Sequence, residues 1–490
     1  MALSDLPNEL LLGFIRAIES ERDMNSVIHT SKKFHALGNP HLYRNNARRH
    51  RSSALIWGAK NGRIDTVRLA LGYGADVNAK ACKKPMSTAL ILAAENNRLD
   101  IVKLLFENGA DVNATNRDQE TAVLCAARDN YVEVLATLLS HPAVDPDIPD
   151  MNTYTPLFCA VDCQHVNIIE ELVCREDVNV NRQHDDGATP LFEASTGSNS
   201  RVTELLLSNP NIDPNLKVRL EGATPLMSAA KWGYIENMRL ILDHPRTNLE
   251  EVDHQGRPLI SYAVQSRNKK IVDYILDRGV DVNKLYRSGA TALCQMAARG
   301  ERDMIEFLIS RGADPTLGNP ILHAACVGNK YTAKLLLRDS RVTVTTPDNH
   351  GTTALHCVAG EGYHEVLELF LEGQRADVNV QDHFGLTPLM RAASGRQLLG
   401  LDGHARAIQL LLNDSRVDVN MQDNDGRTAL FIAAEQGCKD RVKLLLQHAG
   451  IDSRIQDNTG KDPTAIAESN GHYDIAIMIA TSEDASRVSQ

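Results

Sequence analysis

Asp423-Asn-Asp-Gly-Arg-Thr-Ala-Leu-Phe-Ile-Ala-Ala-Glu-Gln-Gly437 decides the architecture, because variants of it recur along the chain. Thr353-Ala-Leu-His-Cys-Val-Ala-Gly-Glu-Gly362 repeats it, as do Thr387-Pro-Leu-Met-Arg-Ala-Ala393, Thr224-Pro-Leu-Met-Ser-Ala-Ala230 and Thr88-Ala-Leu-Ile-Leu-Ala-Ala94. With the Thr as marker, the units start at Thr88, Thr121, Thr155, Thr189, Thr224, Thr291, Thr353, Thr387 and Thr428. Ser53, Arg257, Pro320 and Asp462 fill the same slot elsewhere. Most spacings are 33 to 35 residues, which gives thirteen units from residue 53 onward. A fixed period of this length means stacked supersecondary units, none able to bury its apolar face alone.

Each unit has one internal grammar. Thr can cap a short helix, and Pro is tolerated in a first turn, where no N–H is needed. Small residues such as Ala433 and Ala434 let another helix approach, and a Gly such as Gly437 or Gly362 ends the helix. A second helix carries apolar residues at three- and four-residue spacing, as in Ile101, Val102, Leu104 and Leu105. Asp-x-x-Gly, at 382–385, 348–351 and 457–460, then supplies a tight turn. The pattern resembles the ankyrin repeat over nearly nine-tenths of the chain. That resemblance implies an all-α solenoid of antiparallel helix pairs, with β-hairpin-like fingers at one side.

The chain has 490 residues, a net charge of −11 and only 4% aromatics. Few aromatics fit a core of Leu, Ile, Val and Ala. The negative field argues against nucleic acid as partner. Nine scattered cysteines point to a reducing compartment. Asp5 and Glu9 stand where a signal peptide would be basic, and no apolar run such as Ala89–Ala94 reaches membrane-spanning length. The expectation is a protein of the cytoplasm, the nucleus or both, with no membrane partner.

Residues 1–52 lie outside the repeat. After Pro7, residues Leu11, Phe14, Ile15 and Ile18 share one helical face. A second short helix carries Val27 and Ile28, and a third carries Phe34 and Leu37. Leu6-Pro7, Glu9-Leu10-Leu11, Ser31-Lys32-Lys33-Phe34 and Leu42-Tyr43 are similar to the F-box pattern, with Met24 where that family usually has Leu. The resemblance implies docking on the small adaptor of cullin–RING ubiquitin ligases through Leu6, Pro7, Leu10, Leu11, Phe14 and Ile15. The plain alternative is a helical cap on the first repeat. One F-box-like segment before a long ankyrin array is similar to large families of filamentous fungi. Residues 44–51 form a basic cluster, read as a solvated helix end or a localisation signal.

Two units break the rhythm. Arg396–Arg406 adds seven residues between the helices of the Thr387 unit, and the stretch 314–320 is four residues short. The expected layout is therefore a three-helix module at 1–52, about thirteen repeats at 53–484 and a polar tail at 485–490.

No phosphate-binding Gly loop and no nucleophile elbow is present. His323 and His356 follow the repeat's Leu, where a buried, hydrogen-bonded His is expected. Cys125, Cys159 and Cys357 fill equivalent slots in different units, too far apart to share a metal at about 2.3 Å. No enzyme activity, cofactor or metal is expected.

Ankyrin proteins bind targets with their finger tips and first helices. By that resemblance, the target-binding residues are Lys231, Trp232, His254, Gln255, Arg257, His383, Phe384, Leu386, Asn424, Asp425 and Arg427, with His350 in the same class. Trp232 is singled out because stacking requires no aromatic there, and interface hot spots are rich in Trp. Trp57 is expected to pack at the junction with residues 1–50. The reading is a substrate-recognition subunit of a cullin–RING ligase, holding an unknown target protein near the transfer machinery. The alternative is an ankyrin scaffold or inhibitor.

Overall fold

The computed structural model describes residues 42–44, 46–47, 52–82, 85–372, 376–395 and 403–488, with side chains as far as residue 482. These residues form thirteen helix pairs and no strand; an isolated bridge joins Lys80 and Thr88. The chain divides into two compact units, residues 1–254 and 255–490. Six helix pairs lie in the first and seven in the second.

Local chemistry sets each pair. All nine marker threonines are N-caps, and each side chain accepts the backbone N–H three residues on, as Thr121 does from Leu124 at 3.1 Å. Asp462 does the same for Ala465 at 2.8 Å. The first helices are packed on nearly all sides. Every residue of Ala89–Ala94 is buried, which is why this helix is short, apolar and rich in Ala. The second helices bury one stripe only, such as Ile101, Val102 and Leu105 in Leu99–Glu107.

Three of the four substitute markers behave differently from the Thr they replace. Ser53 lies inside its helix, and the helix N-terminus is satisfied through space: Asn46 Oδ1 accepts from Ala54 N at 2.8 Å. Pro320 has no capping group, so Asn319 caps from one residue earlier, accepting from Leu322 N at 3.4 Å with φ at 61°. Arg257 caps nothing. Its helix starts late, at Leu259, has no side-chain cap, lasts five residues and ends in a 3-10 turn.

Asparagines tie neighbouring turns together within each unit. In the first, Asn113 Oδ1 accepts from Asp145 N at 2.9 Å while Nδ2 donates to Ala143 O at 2.7 Å. Asn181 and Asn215 repeat both bonds. In the second, Asn283, Asn379 and Asn420 do the same.

The adaptor-binding candidates Leu6, Pro7, Leu10, Leu11, Phe14 and Ile15 lie outside the described residues, as do inserted residues 396–402. Of the first fifty-two residues, Tyr43 stacks on Tyr73 with ring centroids 6.2 Å apart, and Asn46 is buried against the first helix. Trp57 is 55% exposed rather than packed at that junction. The last helix runs from Tyr473 to Val488, into the polar segment 485–490. Among the described residues no helix is long and apolar enough to cross a membrane, and no group of three or more metal-ligating side chains gathers.

Candidate protein-interaction surface

Several fingers are built by one carboxylate each, and the finger at Asn116 by an amide oxygen in the same place. Asp382 Oδ1 accepts the N–H groups of Phe384 at 2.9 Å and Leu386 at 3.0 Å. Asp423 holds Asp425 and Arg427 in the same way, at 3.0 and 2.8 Å, and Asp150 holds Asn152 and Tyr154 at 2.9 Å. Two N–H groups taken by one oxygen fold the chain back on itself, and the tip residues between them have no apolar side to bury. Arg391 then grips Asp382 Oδ2 through Nε at 3.1 Å and through Nη2. Burial pushes the Asp382 carboxyl up, but the Arg391 guanidinium and the two N–H groups outweigh it and hold the group below its usual range.

The tips are also bonded to one another. His383 N donates to His350 O at 3.0 Å, Asn424 N to Phe384 O at 3.1 Å, and Asn458 N to Asp425 O at 2.9 Å. Within residues 1–254 the same ladder runs through Met151 to Asp118 O at 2.9 Å and Arg219 to Asp186 O at 2.8 Å. It ends there at His254, whose N–H reaches Glu221 O at 3.1 Å. Backbone groups are thereby used internally, and side chains are what the tips present.

The candidate residues fall into two classes. Trp232 is 64% exposed at the end of its helix, where Gly233 caps with φ at 88°. Lys231 Nζ lies 5.6 Å from the centre of that indole and 3.8 Å from Glu221. Phe384 is 62% exposed at its tip, beside exposed His383. His254, Gln255, His350, Asn424 and Asp425 are exposed, and Asn424 Nδ2 donates to His383 O at 2.9 Å.

The others are engaged within the fold. Arg257 Nη2 donates to Tyr262 Oη at 3.1 Å and covers that ring at 5.1 Å. Arg427 is held by Asp423 at 2.9 Å, Asp425 at 3.0 Å and Glu435 at 3.8 Å. Leu386 is half-buried, and its carbonyl accepts from His356. His356 itself is buried as expected, with Nδ1 against Thr353 and Nε2 on Leu386 O at 2.9 Å; burial lowers its pKa. His323 is only half-buried, with Nδ1 on Asn319 O at 3.1 Å.

Several exposed residues escaped the motif-based reading. Leu220 is 84% exposed and Met151 is 59% exposed, both at tips. Their turns lack the Asp-x-x-Gly form: Thr153 takes the positive φ of 67° in one, and the other is one residue longer. Tyr154, Phe158 and His184 form an aromatic cluster, with Tyr154 and Phe158 stacked at 4.9 Å. Burial pushes the Tyr154 phenol up, and Asp162, Asp186, Glu193 and Asp150 add to it.

A family model described as ankyrin repeats (3 copies) matches residues 31–116, 90–184, 174–253, 198–286, 245–319, 321–401 and 397–488. No F-box match accompanies it, and its first match begins inside the segment read as an F-box-like module. Over 194 residues the chain is 34% identical to the probable 26S proteasome regulatory subunit p28 of Saccharomyces cerevisiae, covering 38% of this chain and 84% of that protein. It is 27% identical over 177 residues to the E3 ubiquitin-protein ligase KEG of Arabidopsis thaliana, covering 34% of this chain and 10% of KEG. It is 26% identical over 184 residues to alpha-latrocrustotoxin-Lt1a of Latrodectus tredecimguttatus, covering 34% of this chain and 13% of the toxin. The matched stretches thus span only a small part of the toxin and of the ligase.

Proposed function

The chain belongs to the ankyrin-repeat family, and from that premise we propose that it is a non-enzymatic protein whose finger tips and first helices hold a target protein, while residues 1–52 dock on the small adaptor of a cullin–RING ubiquitin ligase. The observation that carries the binding half is the exposure of Trp232, Phe384, Leu220 and Met151 at tips and helix ends. Stacking of repeats needs none of these side chains on the surface, and aromatic residues at such places are enriched in interface hot spots. The ligase half rests on Leu6-Pro7, Glu9-Leu10-Leu11 and Ser31–Phe34. The mechanism is proximity: a held target meets the ubiquitin-charged enzyme in an effectively unimolecular step. The transfer chemistry belongs to other subunits. The setting is the cytoplasm or nucleus.

A pull-down of the full chain with the purified adaptor tests the ligase half. Binding that Leu6→Asp with Pro7→Ala abolishes supports it, and absence of binding at micromolar concentration overturns it. The alternative is an ankyrin scaffold or inhibitor in which residues 1–50 only cap the array. The family match that begins at residue 31 favours this second reading.

A further inference from the structure

Cys326 and Cys357 sit on the first helices of adjacent repeats, and their Sγ atoms are 3.0 Å apart. Both are free thiols. The contact is diagonal. Cys357 stands four residues after the capping Thr353, whereas Cys326 stands seven after the capping Asn319. The next repeat shows the same offset: a Cβ built on Gly360, seven after Thr353, would lie 3.5 Å from Cβ of Arg391, four after Thr387. Cysteines in equivalent slots, such as Cys125 and Cys159, do not pair; the offset is what brings two sulfurs together.

The two thiols differ in access. Cys326 is exposed, and Cys357 is half-buried behind it. The bond between the sulfurs, together with burial, pushes the Cys357 thiol up. A peroxide reaches the exposed sulfur first, so Cys326 is the nucleophile and Cys357 the resolving thiol. Cys326 is also the last residue of its helix, where a small adjustment breaks little of the ladder. A disulfide needs about 2.0 Å between sulfurs, so the pair must close by roughly 1 Å.

We propose that Cys326 and Cys357 are a modification site, at which a peroxide joins the two repeats by a reversible disulfide. The Cys326 thiolate attacks one oxygen of hydrogen peroxide and breaks the O–O bond, giving a sulfenic acid and hydroxide. Cys357 sulfur then attacks the Cys326 sulfur, the S–O bond breaks, and the second oxygen leaves as water with the Cys357 proton. In all, two thiols and one peroxide become one disulfide and two waters, with two electrons passing from sulfur to oxygen. An ordinary thiol reverses the step by exchange. The bridge lies on the face formed by first helices, beside exposed Val327, so it changes that face whichever target is held. It needs no partner and stands apart from the proposed function.

The test uses the full, reduced chain with hydrogen peroxide, digested without reductant and read by mass spectrometry. The expected product joins the Cys326 and Cys357 peptides, forms at least about tenfold faster than any other cysteine pairing, and is removed by dithiothreitol. Cys326→Ser and Cys357→Ser each abolish it. Oxidation of Cys326 to sulfinic acid without a bridge, no reaction at either thiol, or pairings formed at equal rates overturns the proposal. The wild-type chain supplies the primary reading, so it does not depend on how the variants fold.

Discussion

Asp147 Oδ2 accepts the backbone N–H of Asn179 at 2.6 Å, while Asp147 Oδ1 is buried with no hydrogen-bond partner. Asn113, Asn181 and Asn215 hold the same corner in other repeats of residues 1–254, and each also donates Nδ2 to a carbonyl of the next repeat. A carboxylate accepts as they do but has no proton to give. Burial raises the Asp147 pKa, and Asp145 and Asp177 add to it, against the bond from Asn179 and the charge of Arg182.

Asp147→Asn should therefore stabilise the chain at neutral pH, by about 1 kcal/mol. A carboxyl whose folded-state pKa is raised binds its proton more tightly when folded. Its cost is full at neutral pH and is relieved as pH falls through the raised value toward the unfolded range near 4. Urea melts of both chains at pH 7 and pH 4.5 check this. The gain should shrink at the lower pH, and a gain that is absent at pH 7 or constant with pH contradicts the reading.

His356 works in the opposite direction. Its folded-state pKa is lowered, so stability should be lost as pH falls from about 6.5 toward the folded value. His404, also lowered by burial, adds to the same loss. His356→Phe keeps a ring there but removes one of the two donors to Leu386 O, which the Asp382 N–H still reaches at 3.0 Å, and about 1 kcal/mol should go at pH 7. Melting curves between pH 7 and pH 5 should then show a shallower slope than wild type.

Gly385 and Gly460 have nearly the same backbone, at φ of 77° and 80°. A Cβ at Gly385 would stand 2.6 Å from Asn424 N, in the tip ladder, whereas a Cβ at Gly460 meets nothing within 4 Å. Gly460→Ala should cost only the left-handed penalty, about 1 kcal/mol. Gly385→Ala adds a backbone clash, so its cost should be at least about twice as large. Equal losses in the two chemical melts would remove the ladder from the account.

Trp232 offers its indole to solvent, so Trp232→Ala should leave the melt within about 0.5 kcal/mol of wild type. Affinity for a target captured by cross-linking should fall at least threefold, with Phe384→Ala as a parallel probe. Titration by calorimetry decides between them: a melt that drops with affinity unchanged makes Trp232 a packing residue.

The nine capping threonines were legible because a cap bonds three residues away along the chain, and a local signal repeated at each period marks itself. Arg257 and Pro320 misled because they inherit the position without a capping group, and Ser53 misled because it has the hydroxyl but lies inside its helix. Their helices are capped through space by Asn46, capped one residue early by Asn319, or left uncapped and short. The binding candidates divide in the same way. Periodicity located the tips and helix ends, yet Arg257 and Arg427 are spent on Tyr262 and on Asp423. Leu220 and Met151 stand out at tips whose turns do not spell Asp-x-x-Gly.

The sequence alone determined the helix pairs, their repeat and the burial of the first helices. Those follow from spacing along the chain and from apolar faces that only stacking can cover. Tertiary structure alone decided which exposed side chains remain free, how the tips bond from repeat to repeat, and that Cys326 meets Cys357. The physical reason is that these contacts join residues some thirty positions apart, and their partners are set by the diagonal offset between neighbouring helices and turns, a geometric quantity that residue spacing does not carry.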